Sequence, residues 1–161
     1  MPPAEAMEPL STTPVRLSSS DEPVREILTF ALNGEAFGVP LTQVNEILGV
    51  RSITRVPRSP PDVVGVCTVR GELVTVIDTR RRLQPASPRA ENRGRILLTS
   101  TADGEKVGLL VDEVLGVQRF AHAQIEPTAG VLVGDVSSHI ESIARKGTQV
   151  TVLVNLASLT S

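Results

Sequence analysis

Apolar and polar residues alternate along this chain in short runs that end at glycine and proline. The alternation predicts a hairpin of strands Ile27–Leu32 and Ala36–Val39. Asn33-Gly34 lies between them and supplies the two positive-φ residues of a type I′ turn. The same pattern predicts further strands at Val63–Val69, Leu73–Ile77, Ile96–Thr99, Lys106–Val111 and Val150–Asn155.

Two short segments carry helical spacing instead. In Leu41–Leu48 the apolar residues Leu41, Val44, Ile47 and Leu48 fall on one helical face, which predicts a short amphipathic helix. A second short helix is expected at Leu156–Leu159. The chain is therefore predicted to be mainly β with short helices.

The chain divides into a polar tail and a folded region. Residues 1–23 contain five prolines among Ser, Thr and Glu, a composition typical of a disordered tail. Residues 24–161 hold three pairs of similar segments in the same order, which indicates two copies of one small β unit. The pairs are Gly34–Val39 with Gly104–Leu109, Asn45–Val50 with Asp112–Val117, and Arg70–Val76 with Lys146–Val152. We expect two small barrels packed together, roughly 24–84 and 93–155, with 156–161 packing back on them.

Composition supports β structure and narrows the function classes. The 161 residues include 22 Val, 8 Ile and 14 Thr, which favour strands, and no run of apolar residues is long enough to span a bilayer. There is no Trp or Tyr, only three Phe, one Cys and two His, and the net charge is −2. Bases have few aromatic rings to stack on, and a zinc site or nucleophilic triad has few candidate residues. We therefore expect no catalytic site, metal or cofactor.

Several motifs resemble the CheW family, over roughly residues 25 to 159. They are Phe30–Val39, Val44-Asn45-Glu46-Ile47, Thr54-Arg55-Val56-Pro57, Gly65–Asp78 and Val107–Val114. The resemblance implies two five-stranded SH3-like β-barrels. It also implies a non-catalytic, cytoplasmic adaptor of bacterial chemosensory arrays. Such an adaptor couples the cytoplasmic tips of chemoreceptors to the regulatory domain of a CheA-type histidine kinase, with no direct membrane contact and no nucleic acid.

The resemblance also implies a partner-binding pair, Glu46 and Arg70, in which an arginine fork can hold a carboxylate in bidentate geometry. Val44 and Val66 are further candidates, because the helical hairpin of a receptor tip would need an apolar groove. Gly65 is a candidate because glycine permits close approach of a partner backbone. For the valines, packing in the core is the competing interpretation, and for Gly65 it is a positive φ that glycine permits.

Two other function classes remain open from the residues. The arginine-rich stretch 80–95 could make the chain a small β-barrel nucleic-acid-binding protein, or it could be a solvated face or a rim that steers an acidic partner. A small hydrolase would need a site built from His122 or His139. Salt-dependent nucleic-acid binding and alanine replacement of the histidines distinguish these alternatives from the adaptor.

Overall fold

The computed structural model describes residues 23–50, 52–84, 94–127 and 139–160, which form strands, two short helices and two 3-10 turns. The predicted tail lies outside the described residues except for Pro23. The strands are β1 Val24–Leu32, β2 Glu35–Pro40, β3 Val44–Gly49, β4 Val63–Val69, β5 Glu72–Asp78, β6 Arg95–Ser100, β7 Lys106–Val111, β8 Glu113–Ala121, β9 Ile125–Pro127, β10 Ile140–Lys146 and β11 Gln149–Val154. The helices are α1 Thr79–Leu83 and α2 Leu156–Leu159, and the 3-10 turns are Leu41–Gln43 and His122–Gln124.

The strands form two sheets that exchange hairpins. Sheet 1 has the order β3-β6-β7-β5-β4, and sheet 2 has the order β8-β1-β2-β11-β10-β9. The hairpin β1-β2 from the first half of the chain thus lies in sheet 2, and the hairpin β6-β7 from the second half lies in sheet 1. The sheets therefore do not follow the predicted division at 24–84 and 93–155. Each sheet needs strands from both halves.

Strand register establishes which residues of the two repeats are equivalent. In sheet 2, β2 runs parallel to β11 with Gly38 beside Leu153, and in sheet 1, β7 runs parallel to β5 with Gly108 beside Val76. The predicted equivalence of Gly34–Val39 with Gly104–Leu109 agrees with this register. The other two predicted matches are wrong. The match of Asn45–Val50 with Asp112–Val117 is displaced by three residues, and the match of Arg70–Val76 with Lys146–Val152 is displaced by one residue.

The correct matches follow from two bulges. In β3, Val44 pairs with Thr99 and Glu46 with Leu98, which leaves Asn45 unpaired. In β8, Val114 pairs with Phe30 and Gly116 with Thr29, which leaves Leu115 unpaired. Glu46 is therefore equivalent to Gly116. In the last hairpins, Val69 pairs with Glu72 and Lys146 with Gln149, which makes Arg70 equivalent to Gly147.

Three apolar clusters hold the sheets together. The largest lies between the sheets and includes Phe30, Phe37 and Leu109, with the rings of Phe30 and Phe37 stacked at 6.2 Å. A second cluster fills sheet 1 and contains the buried Cys67. A smaller third cluster in sheet 2 is built around Phe120. The main core therefore joins the two halves.

The segment 41–48 is not the predicted amphipathic helix. It is the 3-10 turn followed by most of β3, an edge strand with a bulge. Eight residues are too few for apolar spacing to distinguish a helix from a bulged strand, in which the alternation shifts by one position. The strands β8, β9 and β10 were also not predicted.

Candidate functional site

Glu46 and Arg70 form a bidentate ion pair on the surface of sheet 1. Arg70 Nη1 donates to Glu46 Oε1 at 2.5 Å, and Nη2 donates to Oε2 at 2.7 Å. The arginine side chain is 70% exposed and the glutamate side chain 31% exposed. The hydrogen bond with Glu46, followed by its charge, raises the pKa of the Arg70 guanidinium above its ordinary value. The pair predicted from the sequence is therefore formed, and it stays accessible to a partner.

The backbone at Arg70 has an uncommon conformation for a residue with a side chain. Arg70 and Gly71 have φ of 50° and 81°, the two positive values of a type I′ turn between β4 and β5. Glycine or asparagine is preferred at the first of these positions, and other residues there carry a backbone cost. The arginine thus occupies a position where the turn alone favours a different residue.

The ion pair joins the two edges of sheet 1. Glu46 lies on β3 at one edge, and Arg70 lies in the turn that ends β4 at the other edge. The bulge at Asn45 shifts the alternation of β3 just before Glu46. Sheet 2 has a different link, in which Lys146 Nζ on β10 donates to the carbonyl of Arg119 on β8 at 2.9 Å and lies 5.6 Å from the centre of the Phe120 ring. The two edges of sheet 1 are therefore linked directly by side chains, whereas in sheet 2 the link runs from edge strand β8 to β10, one strand in from the other edge.

Gly65 has a packing role within its own chain. A Cβ at this position would lie 2.3 Å from the carbonyl oxygen of Thr54 and 2.8 Å from Cγ2 of Ile53. Thr54 and Val66 donate to each other's carbonyl groups at 2.8 Å, and this bridge holds the segment against β4. Gly65 is buried, and the close approach that it permits is to Thr54 and Ile53 of its own chain. The half-buried Val66 is held in place by the same contact.

The apolar candidates occupy two different environments. Val44 is half-buried and packs on the main core between the sheets. Ile47, one residue beyond Glu46, is 44% exposed, and Leu73 on β5 is 71% exposed. Leu73 was missed from the sequence. Its signal was available, because it lies out of phase with the buried Val74 and Val76 on the same strand.

A cleft of about 760 Å³ runs between the two sheets beside β3. Gln43 and Asn45, on either side of Val44, line one wall, and Leu156 and Ala157 of α2 line another. Asp103, Glu105 and Glu141 contribute carboxylates to the lining. The cleft is open, and its lining mixes polar side chains with apolar ones such as Pro40, Val154 and Leu156.

Two arginines of the arginine-rich stretch are held by contacts within the chain. Arg80 pairs with Asp112 at 3.4 Å, and Arg82 pairs with Asp62 and also donates to the carbonyl of Leu159. The side chains of Arg80 and Arg82 are only 17% and 15% exposed. Phosphates could not reach them without breaking these pairs, so the nucleic-acid alternative is not favoured. Arg89 and Arg93 lie outside the described residues.

Neither a metal cluster nor a bilayer-spanning helix is found in the part of the chain that the structure describes. Within it, no three His, Cys, Asp or Glu side chains are grouped so that they could hold an ion. None of its helices combines the length and the apolar character needed to cross a bilayer.

Comparison with known sequences gives a consistent set of relatives. Residues 26–161 match the CheW-like domain. The chain is 30% identical to chemotaxis protein CheW of Klebsiella aerogenes, over 85% of this chain and 82% of that protein. It is 31% identical to chemotaxis protein CheW of Bacillus subtilis, over 75% and 77% of the two chains, and 32% identical to protein FrzA of Myxococcus xanthus, over 69% of each.

Comparison with solved structures supports the same grouping. The crystal structure of the scaffolding protein TtCheW from Thermoanaerobacter tengcongensis has a TM-score of 0.76 to this chain and is 29% identical to it. The likeness covers 84% of this chain and 91% of that one. It confirms the predicted mainly β fold with two SH3-like units.

Proposed function

Because this chain belongs to the CheW-like family, we propose that it is a non-catalytic adaptor that couples chemoreceptors to a CheA-type histidine kinase in a chemosensory array. The relatives that it matches are chemotaxis and scaffolding proteins, and they match over most of their length. The array contacts receptors from the cytoplasmic side, so we place the adaptor in the cytoplasm. It needs no cofactor for this role.

The observation that carries the proposal is the exposed pair Glu46–Arg70. Its arginine stands where the turn favours asparagine or glycine, and its guanidinium is open to solvent on one side. The exposed apolar side chains of Ile47 and Leu73 lie on the same sheet. Arginine and exposed apolar side chains are both common in protein–protein contacts.

We assign the kinase regulatory domain to the surface formed by Glu46 and Arg70. Gly65 takes part indirectly, since its contact with Thr54 positions Val66 beside this surface. The tip of a chemoreceptor, a helical hairpin, is assigned to the cleft between the sheets. Val44 anchors the wall of that cleft by packing on the core behind Gln43 and Asn45.

The test is calorimetric titration of the full chain with the regulatory domain of a CheA-type kinase from the same organism, at physiological salt. We expect saturable binding in the micromolar range. Arg70→Ala and Glu46→Ala should each weaken it by about tenfold or more, since truncation at a contact centre has large effects.

The matched control is a second exposed ion pair, Arg145–Glu126 on sheet 2, with a distance of 3.1 Å and side chains 58% and 59% exposed. Arg145→Ala removes an arginine of the same kind, paired and more than half exposed, and should leave kinase binding unchanged. Absence of binding by the folded wild-type chain would sink the proposed function. Equal losses in Arg70→Ala and Arg145→Ala would leave the adaptor function standing but remove the Glu46–Arg70 surface from it.

A further inference from the structure

The two sheets differ at the place where sheet 1 is closed by its ion pair. The register makes Glu46 equivalent to Gly116 and Arg70 equivalent to Gly147. Sheet 2 therefore has two glycines where sheet 1 has a carboxylate held by a guanidinium. A Cβ at either glycine would meet nothing within 4 Å. We call this end of sheet 2, at Gly116 and Gly147, its mouth; no side chain from these two positions covers it.

The side chains inside the two sheets next to these positions also differ, and those of sheet 2 are again less bulky or more polar. In sheet 1 the buried side chains of Leu48, Val74 and Leu98 fill the space next to the ion pair. The same register places Gln118, Thr151 and Thr29 at the equivalent positions of sheet 2. Three aliphatic side chains are thus replaced by three neutral polar ones.

The result is a cavity of about 530 Å³ in sheet 2. Its inner lining includes Thr29 and Thr151, which are nearly fully buried, together with Gln118. Its rim includes Ala36, Leu115 and Val150, and the two larger side chains are 51% and 46% exposed. The bulge in β8 leaves Leu115 unpaired at this rim. The cavity therefore has a polar floor and a rim where exposed apolar side chains stand next to Glu35 and Gln149.

The polar groups at the floor are available to a ligand. Thr29 Oγ1 donates to the carbonyl of Gly116 at 2.9 Å and keeps a free acceptor lone pair. Among the described residues, neither the Gln118 carboxamide nor the Thr151 hydroxyl has a hydrogen-bonding partner. The charged side chain in the lining, Glu35, accepts a hydrogen bond from Gln84 at 2.9 Å. The floor itself is neutral.

We propose that this cavity receives a tyrosine side chain of a partner protein. A phenol has an apolar ring that suits the rim and a neutral hydroxyl that can bond to Gln118 and Thr151. A small free ligand would leave Leu115 and Val150 exposed, whereas a protein that presents the tyrosine also covers the rim. The chain contains no tyrosine, so a second copy cannot supply it.

The test uses p-cresol, the side-chain analogue of tyrosine, titrated into the isotope-labelled full chain and followed by amide NMR shifts. We expect millimolar binding, with the largest shifts at Leu115, Gln118 and Thr151. Toluene, which lacks the hydroxyl, should bind at least about tenfold more weakly, because the floor groups then stay unsatisfied. The anion 4-methylbenzoate should not bind, because the floor offers no cation.

Two substitutions test the location. Gln118→Leu installs the residue that fills sheet 1 at the equivalent position, and should reduce p-cresol affinity about tenfold while reducing its preference over toluene. Ala36→Leu should block the entrance, whereas Lys106→Leu, its equivalent in sheet 1, should leave binding unchanged. The proposal is overturned if toluene binds as well as p-cresol, if the shifts lie elsewhere, or if the folded Ala36→Leu protein binds normally.

Discussion

Asp78 and Asn155 cap the two short helices with nearly the same backbone geometry, φ −80° and ψ 97° for Asp78 and φ −81° and ψ 101° for Asn155. Each side chain accepts a hydrogen bond at 3.3 Å from the N–H three residues later, that of Arg81 or that of Ser158. The two residues hold equivalent positions at the ends of β5 and β11. The same strand-to-helix junction therefore occurs once in each repeat.

Substitution of each cap by alanine should lower the free energy of unfolding, and the loss should be larger at the cap that is more buried. Asn155 is exposed, so Asn155→Ala should lower the free energy of unfolding by about 1 kcal/mol. Asp78 is fully buried, so Asp78→Ala should cost more, about 1–3 kcal/mol. Asp78→Asn keeps the acceptor oxygen and should cost less than Asp78→Ala. Urea unfolding measures all three, and equal losses at the two positions would contradict the assignment.

Gly65→Ala should destabilise the fold. The added Cβ would press on the Thr54 carbonyl and on Ile53, and such overpacking costs about 1–3 kcal/mol. The control is Gly49→Ala on edge strand β3, where a Cβ meets nothing within 4 Å. That change should leave the free energy of unfolding unchanged or raise it by up to about 1 kcal/mol. A neutral Gly65→Ala protein would show that the Thr54 segment can move aside.

Arg70→Asn should separate stability from partner binding. Asn-Gly is a preferred type I′ pair, so the thermal midpoint should stay the same or rise. The guanidinium is lost, so kinase binding should fall as in Arg70→Ala. Calorimetry and thermal unfolding on the same sample check this. A lower midpoint with intact binding would make the ion pair a purely structural feature.

His139 should make stability depend on pH. Its Nδ1 lies 2.8 Å from Ser158 Oγ, and burial, followed by the charge of Arg82, lowers the pKa of the imidazole. The unfolded chain, with a histidine pKa of about 6.5, then binds the proton more readily than the folded one. Stability should therefore decline as the pH falls below about 6.5, until the folded imidazole is protonated as well.

The measurement for His139 is the urea midpoint between pH 8 and pH 5.5. His139→Gln should remove part of the decline, because the glutamine does not titrate. His122→Gln removes the other histidine of the chain and leaves the contact with Ser158 intact. If the wild-type and His139→Gln curves run parallel, His139 contributes no pH dependence.

Local features of this fold were readable from the sequence, and non-local ones were not. Asn33-Gly34 has φ of 53° and 85°, as the type I′ prediction requires, because the turn depends only on the residues within it. The hairpin exchange depends on which distant strands pair, and two repeats with similar strands satisfy the same patterns in either arrangement. The helix predicted at Leu41–Leu48 was wrong, because the apolar spacing of this segment spans a turn and a bulge.

The candidate site divides in the same way. The ion pair between Glu46 and Arg70 was anticipated from a family resemblance, since the two residues are 24 positions apart and no pattern in the intervening sequence brings them together. The exposure of Leu73 could have been predicted from its phase in β5. The cavity behind Gly116 could not have been predicted, because the correct match between the two repeats is known only from the strand register.

The exchanged hairpins also suggest how such a chain could arise. A single repeat has three strands and a hairpin that belong to different sheets, so it cannot complete a sheet alone. Two identical copies could complete both sheets by trading hairpins, as the subunits of a symmetric domain-swapped dimer do. The present chain has the layout of such a dimer fused end to end through residues 84–94. Within one chain the two copies need not be alike, and here they differ: Glu46 and Arg70 pair in sheet 1, and Gly116 and Gly147 stand at the equivalent positions of sheet 2.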